Sequence, residues 1–179
     1  METATKTTWI LDPTHSEAHF KVKHLVISTV TGTFKTFEGN LETDNEDFTD
    51  AEFSISLDVN SIDTNQEQRD EHLKSADFFN AEQYPKITFK STSFKKNGND
   101  YELAGDLTIK DVTKSIKLNV EYGGTATDSY GNLKAGFEVT GKINRKEYGL
   151  TMHAVTEAGA IVVGEDIKLI INAQFSKQA

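Results

Sequence analysis

Five histidines, His15, His19, His24, His72 and His153, are the residues in this sequence whose type could bind a metal or move a proton. Spacing argues against a shared metal. On a strand rising about 3.3 Å per residue, His15 and His19 share a face but stand roughly 13 Å apart. Zinc needs ligand atoms within about 2.0–2.1 Å of one point. His24 has the opposite parity and joins Phe20 and Val22 on an apolar face, where a buried imidazole is expected to be satisfied by a carboxylate or a carbonyl. Arg69, Asp70 and His72 form a second polar cluster that could do acid–base work. Helix spacing equally allows caps and ion pairs on a wet surface there.

Covalent chemistry has little to draw on. The chain has no cysteine, which removes disulfides, thiolate metal sites and cysteine nucleophiles together. Ser16 beside His15 is a neighbour pair in sequence, and no G-x-S-x-G elbow accompanies it. The run from Gly136 to Lys142 superficially matches a phosphate-binding loop. It lacks Ser or Thr at Ile143, and its interior alternates like a strand instead of forming a glycine loop before a helix.

The elements that would position these residues are dominated by period two. Phe53, Ile55, Leu57 and Val59 alternate with Glu52, Ser54, Ser56 and Asp58, the pattern of a half-buried strand. Tyr101 to Ile109, Ile116 to Tyr122, Phe137 to Ile143 and Ile167 to Ile171 alternate in the same way, as does the segment around Phe20. Near Phe34, Phe37, Gly39 and Leu41 the phase slips by one residue, which predicts a bulge. With residues 86–94 the total is about eight strands.

Lys96-Asn97-Gly98-Asn99 predicts a hairpin, Asp111 to Lys114 a short connection, and Gly123-Gly124 through Asn132 a looser loop. Such short links imply antiparallel pairing. Thr64 to Glu67 fits a capping box ahead of a polar helix over about 66–75. That helix runs into Phe78 and Phe79, as a lid over a barrel end or as a connector feeding two rings to the core. A second helical turn is expected near Arg145 to Leu150.

Eight antiparallel strands with one apolar face each, and almost no helix to cover them, must cover one another. Closure into a barrel does this and removes unpaired edges. Long strands and only 2 prolines favour an up-and-down barrel. An eight-stranded barrel is either filled by its own side chains or holds one slender ligand, and period two does not distinguish these.

In order and spacing the chain resembles the YceI-like family, the lipocalin-like polyisoprenoid-binding proteins, from about Trp9 to Phe175. Four segments carry the likeness: Trp9-x-Leu11-Asp12-x-x-His15-Ser16; Arg69-Asp70-x-His72-Leu73-Lys74-Ser75-x-Asp77-Phe78-Phe79 with Tyr84-Pro85; Gly105-Asp106-Leu107-Thr108-Ile109; and Asn144-Arg145-x-x-Tyr148-Gly149-Leu150. Asp111 departs from the glycine common in the family, a change confined to a turn.

The resemblance implies an all-β, extended eight-stranded antiparallel barrel with a hydrophobic pore for a long apolar chain: a polyisoprenoid, an isoprenoid quinone or a fatty-acyl derivative. It also implies homodimers, no cofactor and no established catalytic residue. Each isoprene unit buries about five carbons, a gross gain on the order of 4 kcal/mol, and ordering consumes several units' worth. The expected lining is Phe20, Val22 and His24, then Phe34 and Phe37, Phe78 and Phe79, Ile87 and Phe89, Leu107 and Ile109, and Phe137 and Ile143. Arg69, His72 and Arg145 are expected as polar groups at the mouth.

The leading expectation is a non-catalytic lipid carrier or scavenger, one domain over residues 1–179 with a polar leader over 1–8. The alternatives are an isomerase or hydrolase acting on a lipid inside the barrel, and a filled barrel serving as a protein-interaction module. Lys and Arg number 19 against 28 Asp and Glu, a net charge of −9, which disfavours nucleic acid. No apolar stretch reaches the roughly 18 residues of a membrane span, and the polar start lacks an apolar signal core. The expected location is therefore the cytoplasm, or the periplasm if a signal has been removed.

Overall fold

Alternation sends one set of side chains inward along every strand, and the barrel arises because these faces have only one another to pack against. The computed structural model describes residues 6–24, 28–44, 48–76, 78–150 and 163–178. Among them the chain forms β1 (Thr7–Leu11), β2 (Glu17–His24), β3 (Ser28–Phe34), β4 (Phe37–Thr43), β5 (Glu52–Asp58), β6 (Ile62–Asp63), β7 (Lys86–Asn97), β8 (Asp100–Ile109), β9 (Val112–Thr127), β10 (Leu133–Asn144) and β11 (Val163–Lys177).

Six of these segments combine into three interrupted strands. β1 and β2 lie end to end along β11, with Leu11 opposite Phe175 and Phe20 opposite Leu169. β3 runs back along β2 and β4 along β1. β5 and β6 then pair with β4 and β3. The ring is thus eight strands, 7–24, 28–43, 52–63 and β7 to β11, antiparallel throughout and closed where β11 meets the first. This is the expected closed barrel.

Two of these interruptions have a clear local cause. After β1, Pro13 opens a 3₁₀ turn, Pro13–His15, where a residue without an N–H is tolerated, and Asp12 Oδ1 accepts from the Thr14 N–H at 3.0 Å. Between β3 and β4 the chain bends at Lys35 and Thr36. The Lys35 N–H donates to Ser61 O, and Thr36 O accepts from the Asp58 N–H. The phase slip read as a bulge is this bend.

The hairpins correct two expectations. Gly98, at φ 67°, and Asn99 form the two-residue turn between Asn97 and Asp100 as expected. The β8–β9 turn is Lys110 and Asp111, with Ile109 opposite Val112, so Thr113 and Lys114 already belong to β9. β9 also continues past Gly123, where a loop was expected. The ladder shifts register opposite Gly136 and Phe137, and Gly124 sits at φ 102°. The paired glycines make a bulge, which needs one extra residue and a permissive backbone. The turn itself follows, where Asp128 Oδ1 accepts from the N–H groups of Tyr130 and Asn132, each at 2.9 Å.

Helix α1 (Glu67–Lys74) begins at Gln66 with no side-chain cap. The expected capping box is absent, because Thr64 bonds Asp70 instead, through its N–H at 2.8 Å and its Oγ1 at 2.5 Å. Of the expected leader, Thr7 and Thr8 are strand residues paired with Thr43 and Glu42, and residues 1–5 lie outside the described residues. Among the described residues no helix is long and apolar enough to cross a membrane.

The two barrel ends differ. At the lower end, where β7 meets β8 and β9 meets β10, Phe48 enters from the β4–β5 loop and packs on Trp9, Tyr122 and Phe137 at 5.1–5.4 Å between ring centroids. Phe53, Phe94, Tyr101 and Phe175 complete a continuous aromatic cluster. Each such pair contributes about 0.5–1.5 kcal/mol beyond area burial. The rings fill this end. The upper end, where β2, β6, β8 and β10 finish, carries α1.

Candidate functional site

Above the aromatic cluster the barrel is hollow. The cavity has a volume of about 590 Å³, with walls built from the inward faces of the strands. This exceeds the roughly 300 Å³ below which a barrel filled by its own side chains would be the simpler reading. Phe53, Phe137 and Phe175 belong both to the lining and to the aromatic cluster, so they form a floor. The hydrophobic interior is closed below by this aromatic packing.

Most of the expected lining residues face this cavity: Phe20 and Val22 on β2, Phe34 at the end of β3, Ile87 and Phe89 on β7, Leu107 and Ile109 on β8, and Phe137 and Ile143 on β10. Phe78 and Phe79 reach it from the segment after α1, in an edge-to-face pair at 5.1 Å. Phe37 does not line it. It is the first residue of β4, at the bend, and packs against the core from there. The side chain of His24 lies outside the described residues, as does His153.

The lining also includes residues that the sequence reading passed over. Ile167, Leu169 and Ile171 of β11, Ile116 and Leu118 of β9, and Val139 of β10 complete the wall. Each sits on an alternating apolar face, so period two carries their signal. Phe48 is a different omission. Nothing in its acidic loop marks it as a core residue, yet it is 2 % exposed.

The polar candidates separate. Arg69 and His72 lie on α1 and line the upper cavity with Gln68 and Leu73, so the helix covers this end. Arg69 is held by Thr64: its Nε donates to Thr64 Oγ1 at 2.7 Å and its Nη2 to Thr64 O at 2.6 Å. Thr64 Oγ1 in turn donates to buried Asp70, so Thr64, itself held by Asp70, fixes the guanidinium. Arg145, expected as a polar group at the mouth, also lines this cavity but is fully buried. It begins the 3₁₀ turn Arg145–Tyr148, and its Nη1 donates to Leu150 O at 2.6 Å, which draws the side chain under the turn. Burial pushes its pKa down while Glu165 opposes that shift; a guanidinium remains charged regardless.

Of the remaining described histidines, His15 is at the surface and His19 on β2 also borders the cavity. His15 Nδ1 lies 2.8 Å from Asp12 Oδ2, and His19 contacts Thr33 and Glu17. Among the described residues no three His, Asp or Glu side chains converge as a metal site.

Residues 9–175 match the YceI-like domain. A UPF0312 protein of Pectobacterium atrosepticum is 37% identical over 164 residues, covering 92% of this chain and 82% of its own. The crystal structure of a Campylobacter jejuni YceI protein is 31% identical with a TM-score of 0.73, covering 88% of this chain and 90% of that one. A polyisoprenoid binding domain from Saccharophagus degradans, at 17% identity, shares the fold with a TM-score of 0.69 over 98% of this chain and all of its own. With nearly the whole barrel matched in both sequence and fold, the chain belongs to the YceI-like family.

Proposed function

We propose that this protein binds one long apolar lipid chain inside the barrel and carries or sequesters it without chemical change. The observation that carries this reading is the hollow upper barrel, about 590 Å³ behind a mainly apolar wall. Pockets of about 300–1,000 Å³ are the size that encloses small ligands. At roughly 30 Å³ per methylene-sized group, taking the share of one small molecule in liquid water as the yardstick, the volume holds about 20 such groups. That is about four isoprene units or one long acyl chain. The Saccharophagus degradans domain of the same fold, named for polyisoprenoid binding, fits this ligand class.

The floor sets a length limit. Titration with prenyl alcohols of increasing length tests it: affinity rises with each unit until the cavity is full, at about four units, and then levels off. Binding should carry a negative heat-capacity change, the marker of apolar burial. No uptake of any prenyl or acyl chain contradicts the proposal.

A further inference from the structure

The chain is strongly acidic, with 28 Asp and Glu against 19 Lys and Arg, yet among the described residues no carboxylate lines the cavity. The charged groups that do line it are all basic, and two of them, Arg69 and Arg145, lie at the upper end. Lys23 also touches the rim, but its ammonium donates outward to Thr29 Oγ1 at 3.2 Å. The nearby carboxylates have partners of their own, and Glu165 also acts on Arg145. Asp70 accepts from Thr64, and Glu165 pairs with Lys146 at 2.7 Å. Among the described residues the acids thus stay out of the cavity, and arginine stands at the end covered by α1.

We infer that the lipid of this site ends in an anion, a carboxylate or a phosphate, whose head is held at the upper end of the barrel by Arg69 with Arg145 beside the same cavity. This rests on the lipid-binding reading above and names the class of head group. Arg69 is built for the task. Its Nε and Nη2 are occupied by Thr64, which fixes the plane of the guanidinium before a ligand arrives and leaves the Nη1 donors without a partner among the described residues. A guanidinium so oriented loses little freedom on binding an oxyanion, and hydrogen bonds between two charged groups are about twice as strong as neutral ones. The chain below packs against aliphatic and aromatic walls that do not read its chemistry.

The test compares matched pairs at mildly alkaline pH, where a carboxylic acid is ionised: hexadecanoic acid against hexadecanol, and geranylgeranyl phosphate against geranylgeraniol. The wild-type protein should bind at least one anion on the order of 10- to 100-fold more tightly than its alcohol. Preference within the first pair names a carboxylate, and within the second a phosphate. In Arg69→Gln the ratio should collapse towards unity, and Arg69→Lys should restore part of it. Equal affinity for anion and alcohol in the wild type overturns the inference and leaves the lipid reading standing, as does a preference that survives Arg69→Gln. If no probe binds, alcohols included, both fall.

Discussion

The ring of Phe20 occupies the space that a side chain on Gly32 would need: a Cβ built on Gly32 would stand 2.1 Å from Phe20 Cζ and 2.4 Å from its Cε1. The two residues face each other across β2 and β3. The glycine lets the ring lie back against the wall, so the cavity in front of it stays open. A barrel wall of large side chains stays hollow only where something small stands behind them.

Replacing Gly32 with alanine should therefore move Phe20 into the cavity. The clash is with the far end of a side chain that can rotate, so the stability cost should fall at the low end of the usual 1–3 kcal/mol, about 1 kcal/mol. Binding should suffer more. Titration of Gly32→Ala with prenyl alcohols is expected to show the affinity plateau at a shorter chain than in the wild type, with the urea midpoint little changed.

Gly105 offers the contrasting case. A Cβ there would stand 2.5 Å from the backbone oxygen of Lys90 as well as 2.5 Å from Phe89 Cζ. The ring could move, but the carbonyl belongs to the β7–β8 ladder and could not. Gly105→Ala should cost about 3 kcal/mol or more, seen as a fall in the urea midpoint at unchanged slope.

The floor can be lowered. Phe137 touches the rings of Phe48, Phe53, Phe94, Tyr122 and Phe175 and lines the cavity from below. Phe137→Leu should destabilise the barrel by about 1–3 kcal/mol, less than the 3–5 kcal/mol of a truncation to alanine. It should also shift the plateau in the prenyl-alcohol series to longer chains. A plateau that stays in place would show that chain length is not limited by this ring.

These variants mark what the sequence revealed. Alternation identified most of the long strand faces, because period two reports directly which side of a strand is buried, but it did not reveal β1 or the two-residue β6. It did not tell floor from wall, since Phe137 and Ile143 occupy equivalent phases of β10 and only long-range ring contacts distinguish them. Nor did it reveal hollowness, which depends on small residues such as Gly32 lying opposite large ones in another strand. Phe48 sits in a loop without period, and the burial of Arg145 follows from a turn bonding back to Leu150, a contact without a sequence motif.

Acid sensitivity should trace in part to Asp12. Its carboxylate accepts from Thr14 Oγ1 at 2.7 Å, contacts His15 and takes a bond from Lys134 Nζ on β10 at 3.2 Å. Hydrogen bonds from Thr14 first, then His15, hold it well below the usual carboxylate range, with burial opposing. A depressed folded pKa contributes stability above the unfolded value, about 3.9, and that contribution is lost as pH falls through the folded value. Asp12→Asn should therefore be less stable than the wild type at neutral pH. Its stability should also fall less steeply below about pH 4, as read by urea midpoints across an acid pH series.

Native mass spectrometry of the purified protein, followed by organic extraction, reaches the central claim most directly. A lipid carrier with a cavity of about 590 Å³ should show a mass excess of one apolar chain per barrel, about 20 carbons long, that extraction removes and incubation with prenyl or acyl chains restores. A barrel that is empty as purified and stays empty after such incubation would contradict the account.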